Sequence, residues 1–185
     1  MRCRVVASCS FSVALLLAVL FSAHLQTKAA GLPEDNNEVT QLLEDIKVQA
    51  ADLQRDSDEL ESFSRSNVSW ESHAAELDAI KERINKIGQT IQKLQNMRGS
   101  ASPWQQEAID RIIPVAQKLA SNTTAAIEHL NRNPKHLQDP EYQQYLKSNA
   151  EAARQLSGMV KDFVEYGKTK NKMEEIAKNP EVPER

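Results

Sequence analysis

Between Trp70 and Arg98 the apolar residues recur in a heptad, and this pattern constrains the chain more than any other. Trp70, Leu77, Ile84 and Ile91 fall at one heptad position, and His73, Ile80, Ile87 and Leu94 fall at the other. Two apolar positions per heptad draw one stripe along an α-helix, and that stripe must be covered by another helix. Three further segments carry helical period. The first, from about Asn37 to Arg65, shows Val39, Leu42, Ile46, Leu53, Leu60 and Phe63 at three- and four-residue steps. Another, from about Pro103 to Arg132, has its stripe at Ile109, Ile112, Ile113, Ala116, Leu119, Ala120, Thr123, Ala126, Ile127 and Leu130. The last, from about Pro140 to Ala177, has Tyr142, Tyr145, Asn149, Ala152, Leu156, Met159, Val160, Phe163 and Tyr166. No segment has the two-residue period of a strand.

The breaks between these segments carry helix-boundary chemistry. Ser69 is placed to cap the second helix, and Gly99 follows Arg98 as a stop. Ser102-Pro103-Trp104-Gln105 reads as a capping box with proline at the first helical position. Asn133-Pro134 ends the third helix, and Asp139-Pro140-Glu141 starts the fourth. Pro114 is the one conflict: inside a helix it removes a hydrogen bond to residue 110 and is expected to kink the third helix. Connections this short make consecutive helices antiparallel neighbours. Helices of about 28 residues are about 42 Å long at 1.5 Å per residue. The expected fold is all-α: an elongated antiparallel up-down-up-down four-helix bundle over residues 37–178, with a polar lead-in at 31–36 and a flexible tail at 179–185.

The first thirty residues read as an export signal. Arg2 and Arg4 form a basic start, a mostly apolar run follows from Val5 to Ala23, and Ala29-Ala30 offers small residues for cleavage. The run is about 19 residues, near the lower limit for spanning a bilayer, so an uncleaved anchor is the alternative. Serines within the run and its alanine-rich end favour cleavage. Val6-Ala7-Ser8-Cys9 resembles a lipobox only superficially, because it precedes the apolar run.

Removing the signal has two consequences. It takes away Cys3 and Cys9, both cysteines of the chain, so the mature part has neither thiol nor disulfide. Cysteine nucleophiles, CxxC redox chemistry, thiolate metal sites and covalent c-type haem are thereby excluded from it. It also removes three basic residues and no acidic one, which leaves 20 basic against 26 acidic residues. That balance favours solubility and argues against nucleic acid as a partner.

Few residues remain that could carry chemistry. In the expected topology the first helix ends, the second starts, the third ends and the fourth starts at one tip. Phe63, Trp70, His73, Leu130, Tyr142 and Tyr145 gather there, with Asn149 below them, and these form the candidate binding tip. A polar aromatic cluster suits a small ligand, and it equally plugs a bundle end with its polar atoms reaching water. His73 is the one histidine on an apolar stripe; a neutral, hydrogen-bonded core histidine is the plainer reading. His129 lies well over 90° from the stripe of Ala116, Thr123 and Ile127 and is expected to face solvent, while His136 lies in a loop. No inward histidine pair is expected. Neither a His–Met haem site nor the Glu-x-x-His pair of a di-metal bundle can be built, and no phosphate loop, G-x-S-x-G or H-E-x-x-H occurs. No catalytic residue, metal or cofactor is expected.

Ser57, Thr123, Asn149, Ala152 and Ala153 form a layer of small or polar inward residues. It suits either a small cavity or close helix approach with Asn149 fixing register. Gly88, between Ile84 and Ile91, is expected to admit a neighbouring helix. Lys168, Lys170 and Lys172 could meet an anionic polymer or lipid surface, or simply complement the helix C-terminus.

Four stretches together carry a resemblance: Trp70-Glu71-Ser72-His73-Ala74, Ala101-Ser102-Pro103-Trp104-Gln105-Gln106, Ala125-Ala126-Ile127-Glu128-His129-Leu130-Asn131 and Phe163-Val164-Glu165-Tyr166-Gly167-Lys168-Thr169-Lys170. On these the chain resembles a group of uncharacterised exported helical-bundle proteins of bacteria. The resemblance brings no activity or ligand and implies a periplasmic or extracellular location. The expectation is a non-enzymatic exported bundle acting on a protein or envelope partner, as a monomer or small homo-oligomer. It would meet a membrane only if the signal is retained. The alternative is a small-molecule carrier using the tip.

Overall fold

The computed structural model describes residues 34–178. The segment read as an export signal, with its two cysteines, the first residues of the lead-in and the tail after residue 178 lie outside the described residues. The fold is all-α. Its four helices are α1 (Asn37–Phe63), α2 (Trp70–Met97), α3 (Pro103–Arg132) and α4 (Pro140–Lys178), with a short 3-10 turn at Arg98–Ser100. Each helix packs on the next, and α4 also packs on α1; the seams of α4 with α1 and α3 are the most extensive.

Heptad spacing explains which faces are covered. In α1 the buried line runs Val39, Leu43, Ile46, Ala50, Leu53, Ser57 and Leu60. In α2 it runs His73, Leu77, Ile80, Ile84, Ile87, Ile91 and Leu94, as the sequence pattern requires. Each Leu or Ile withdrawn from water contributes roughly 1.5–3 kcal/mol, and these lines join in one core.

The other two stripes are rotated from their expected positions. In α3 the core face passes through Ala108, Val115 and His129, whereas Ala120 is exposed. In α4 it passes through Leu146, Asn149, Ala153, Leu156, Val160, Val164 and Gly167. Met159 and Phe163 are only partly buried, and Tyr166 is 54% exposed. The aromatic residues of α4 had drawn the expected stripe to its flank; the continuous three–four spacing of smaller residues is what enters the core. Gly88 is corrected as well. A Cβ there would meet nothing within 4 Å, so no helix approaches it closely. The close approach falls at Gly167, where a Cβ would lie 2.7 Å from the Trp104 ring. Pro114 is exposed and lies within an unbroken α3.

Polar contacts fix which helix ends meet. Asn36 Oδ1 caps α1, accepting from the backbone N–H of Glu38 (3.0 Å) and Val39 (3.3 Å). Ser69 Oγ accepts from Ser72 N–H at 3.4 Å to start α2. The start of α1 lies against the start of α3 and the far part of α4, an end termed the base. There Trp104 Nε1 donates to Asp35 Oδ1 (2.7 Å), and Lys170 Nζ lies 3.3 Å from Asp35 Oδ2. Lys168 pairs with Glu44 at 2.9 Å, and Lys47, first, with Lys168 holds the Glu44 carboxyl below its ordinary pKa. Farther along, Arg154 of α4 meets Asp58 and Glu61 of α1, each at 2.8 Å. On the opposite side of α1, Arg83 of α2 reaches Asp56 and, at 3.3 Å, Asp52. Two of the three lysines read as a surface patch are therefore paired on the bundle, Lys168 with Glu44 of α1 and Lys170 with Asp35 just before it.

Candidate functional site

The end of α1 and the start of α2 meet the end of α3 and the start of α4 at the tip. Tyr142, two residues into α4, is completely buried and forms its centre. Its hydroxyl lies 2.9 Å from His73 Nδ1, with both side chains shut off from solvent. The Phe63 ring stands edge-on to His73, with centroids 5.4 Å apart. On another side the His129 ring stacks on Tyr142, with centroids 5.4 Å apart and planes at 21°. Leu130 is buried beside this group. Burial lowers the pKa of His73 and raises that of Tyr142 well above the ordinary phenol range. The two therefore form a neutral hydrogen bond at ordinary pH.

The remaining candidates divide. Asn149 is buried and donates from Nδ2 to Thr123 Oγ1 at 3.0 Å, tying α4 to α3 below the tip. Its Oδ1 and the buried Ser57 Oγ find no hydrogen-bond partner among the described residues. Tyr145 is half-buried, and its hydroxyl donates to Glu141 at 2.7 Å; that carboxylate, first, and burial hold the phenol pKa up. Trp70 does not join the cluster. It is the first residue of α2 and is 46% exposed, because the heptad line runs past the covered end of the bundle there.

His129 is the residue that the sequence reading misplaced. It is 8% exposed, not solvent-facing, and with His73 it makes the inward pair that was not expected. It stands at heptad spacing from Ala108 and Val115, and that spacing would have found it had the stripe not been centred on Ile113 and Ala116. Its Nε2 lies 3.4 Å from Asp139, and its Nδ1 3.9 Å from Glu141. Tyr142 touches both imidazoles, and among the described residues no group of three His, Cys, Asp or Glu side chains is arranged to hold a metal.

A second polar centre, at the base, was legible only in part. Gln105 is completely buried and makes four hydrogen bonds. Its Oε1 accepts from the backbone N–H of Ser102 (2.9 Å), the expected arm of the capping box, and from that of Asn36 (3.0 Å). Its Nε2 donates to the carbonyl of Asn36 (2.9 Å) and to Thr40 Oγ1 (3.0 Å). One side chain thus closes the starts of α1 and α3 together.

The surface of the described residues includes two grooves of similar size. One, of about 530 Å³, follows the α2–α3 seam over Ile84, Gly88, Ile91, Ile113 and Ala116. The other, of about 500 Å³, follows the outer face of α4 along Gly158, Met159, Phe163 and Tyr166, with Arg111 and Arg154 at its rims. Arg111 lies over the Phe163 ring at 5.4 Å. No helix among the described residues is long and apolar enough to cross a membrane. Compared with protein-family models, curated proteins and solved structures, the chain gives no match.

Proposed function

We propose that this chain is an exported, non-enzymatic protein of up-down-up-down four-helix topology that acts by contact with a protein or envelope partner. The observation that supports this most is where its chemically capable side chains are spent. His73 and Tyr142 bond each other inside the core, and Gln105 makes four hydrogen bonds inside the base. Open apolar and cationic side chains lie outside, along α4. Native mass spectrometry of protein recovered from an exporting host tests the reading. An unmodified chain beginning near residue 31, with no small adduct, is the expected result. Turnover of any substrate abolished by His73→Ala with the fold intact would sink it.

The second reading is a small-molecule carrier. It is favoured by Asn149 Oδ1, a buried polar atom near the tip with no hydrogen-bond partner among the described residues. A reproducible adduct that disappears with His73→Ala and raises the melting temperature when present would select it.

A further inference from the structure

We propose that the outer face of α4 binds the same face of a second copy of this chain, antiparallel and centred on Tyr166. α4 has 39 residues against 27 to 30 in the other helices, and residues 171–178 are all exposed. A helical extension of this length gains little stability from its own hydrogen bonds. Yet it carries Met173 (66% exposed) and Ile176 (60% exposed), in line with Tyr166 and Met159 on the bundle. Met159, Tyr166 and Met173 are spaced by sevens, the seam of a two-stranded coiled coil, and the stripe from Gln155 to Ala177 spans about three heptads.

Charge selects both the occupant and its direction. Antiparallel pairing about Tyr166 sets Met159 against the second copy's Met173 and brings Asp162 level with the second copy's Lys170, which also holds Asp35 and Glu174 of its own chain. Each extension then lies along the other copy's α4 groove, bringing Glu174 and Glu175 toward a lining that holds Arg111 and Arg154 with the single carboxylate Asp162, Arg154 also pairing with Asp58 and Glu61 of its own chain. Gly158, whose position has open space for a Cβ, leaves the floor of that groove low enough to receive a side chain. In-register parallel pairing would instead set each charge against itself, which costs affinity. An anionic lipid surface fits less well, because Glu165, Glu174 and Glu175 interrupt the lysines.

Sedimentation and disulfide cross-linking test the proposal, on protein recovered from an exporting host with Cys3 and Cys9 replaced by Ser. A dimer is expected at micromolar concentration, and Met173→Glu with Ile176→Glu should weaken it at least tenfold, about 1.4 kcal/mol. Both positions are exposed and lie past the bundle core, so the bundle should stay folded, with any loss of helix confined to the extension. Tyr166→Cys should cross-link to itself. Met173→Cys should cross-link to Met159→Cys in a mixture but not to itself. A monomer at ~100 μM overturns the proposal, as does a dimer indifferent to Met173→Glu or one in which Met173→Cys links to itself. A monomer that floats with phosphatidylglycerol vesicles through Met173 overturns it in favour of a membrane surface.

Discussion

The two ends of this molecule solve the same problem with different chemistry. At both, four chain segments converge and polar atoms must be closed off from water. The base does it with a neutral amide: Gln105 offers two acceptor and two donor contacts to groups that cannot titrate. The tip does it with His73 and Tyr142, two ionisable groups held neutral by burial, and with His129 between Tyr142 and the carboxylates of Asp139 and Glu141. An amide closure depends only on geometry. An imidazole closure depends also on the proton, so the ends should part company under acid and under mutation.

The largest effect is expected at the base. Gln105→Ala removes four bonds and leaves the buried Ser102 N–H without its partner, a loss of about 3–4 kcal/mol in urea-induced unfolding. A loss no greater than that of Tyr142→Phe would break the comparison. Gly167→Ala should cost about 1–3 kcal/mol, because the new methyl meets the Trp104 ring that Asp35 holds in place. Tyr142→Phe keeps the ring and deletes the hydroxyl opposite His73 Nδ1, and is expected to cost about 1–2 kcal/mol.

Acid should then separate the ends. The unfolded chain protonates His73 near its ordinary pKa of 6.5, while the buried residue refuses the proton until lower pH. Stability from this residue is thus fully present above about pH 6.5 and erodes as pH falls below it. The depressed carboxyl of Glu44 contributes stability that is fully present above about 4.5 and is lost only as pH falls below it, outside this range. Thermal unfolding between about pH 5 and 6.5, compared with His73→Gln, isolates the effect from the other histidines. Identical slopes for the two proteins would remove the tip's distinguishing property. The smallest effect is a gain: Gly88→Ala meets open space in a helix interior and should stabilise by up to about 1 kcal/mol.

The elements themselves were written plainly in the sequence. Ser69, Ser102 and Asn133 stand at or beside the observed boundaries because capping chemistry is local. The core line of α2 was right from His73 onward, though not at Trp70, because its heptad there consists mainly of large aliphatic residues. The lines of α3 and α4 were misjudged where alanine, glycine and histidine occupy core positions and larger side chains sit on the flank. Hydrophobicity then points to Tyr166 and Ile113 while packing selects Val164 and Val115. The tip was legible as a gathering of Phe63, His73 and Tyr142, but not as a histidine on each side of a tyrosine. The reach of Gln105 to Asn36 spans 69 positions, and no local pattern announces a bond of that length.

That same bond bears on the order in which the chain can fold. The base is closed by Asp35 and Asn36 from the start of α1, Gln105 from α3 and Lys170 from the last part of α4. Its contacts are among the least local in the molecule, and loop-closure entropy opposes them until the intervening helices have packed. The α2–α3 hairpin can form early from neighbouring sequence. The seams of α4, the most extensive in the fold, must wait until α4 itself has left the ribosome. Until then α1 lacks one of its two neighbours, and the bundle's core stays open along that side.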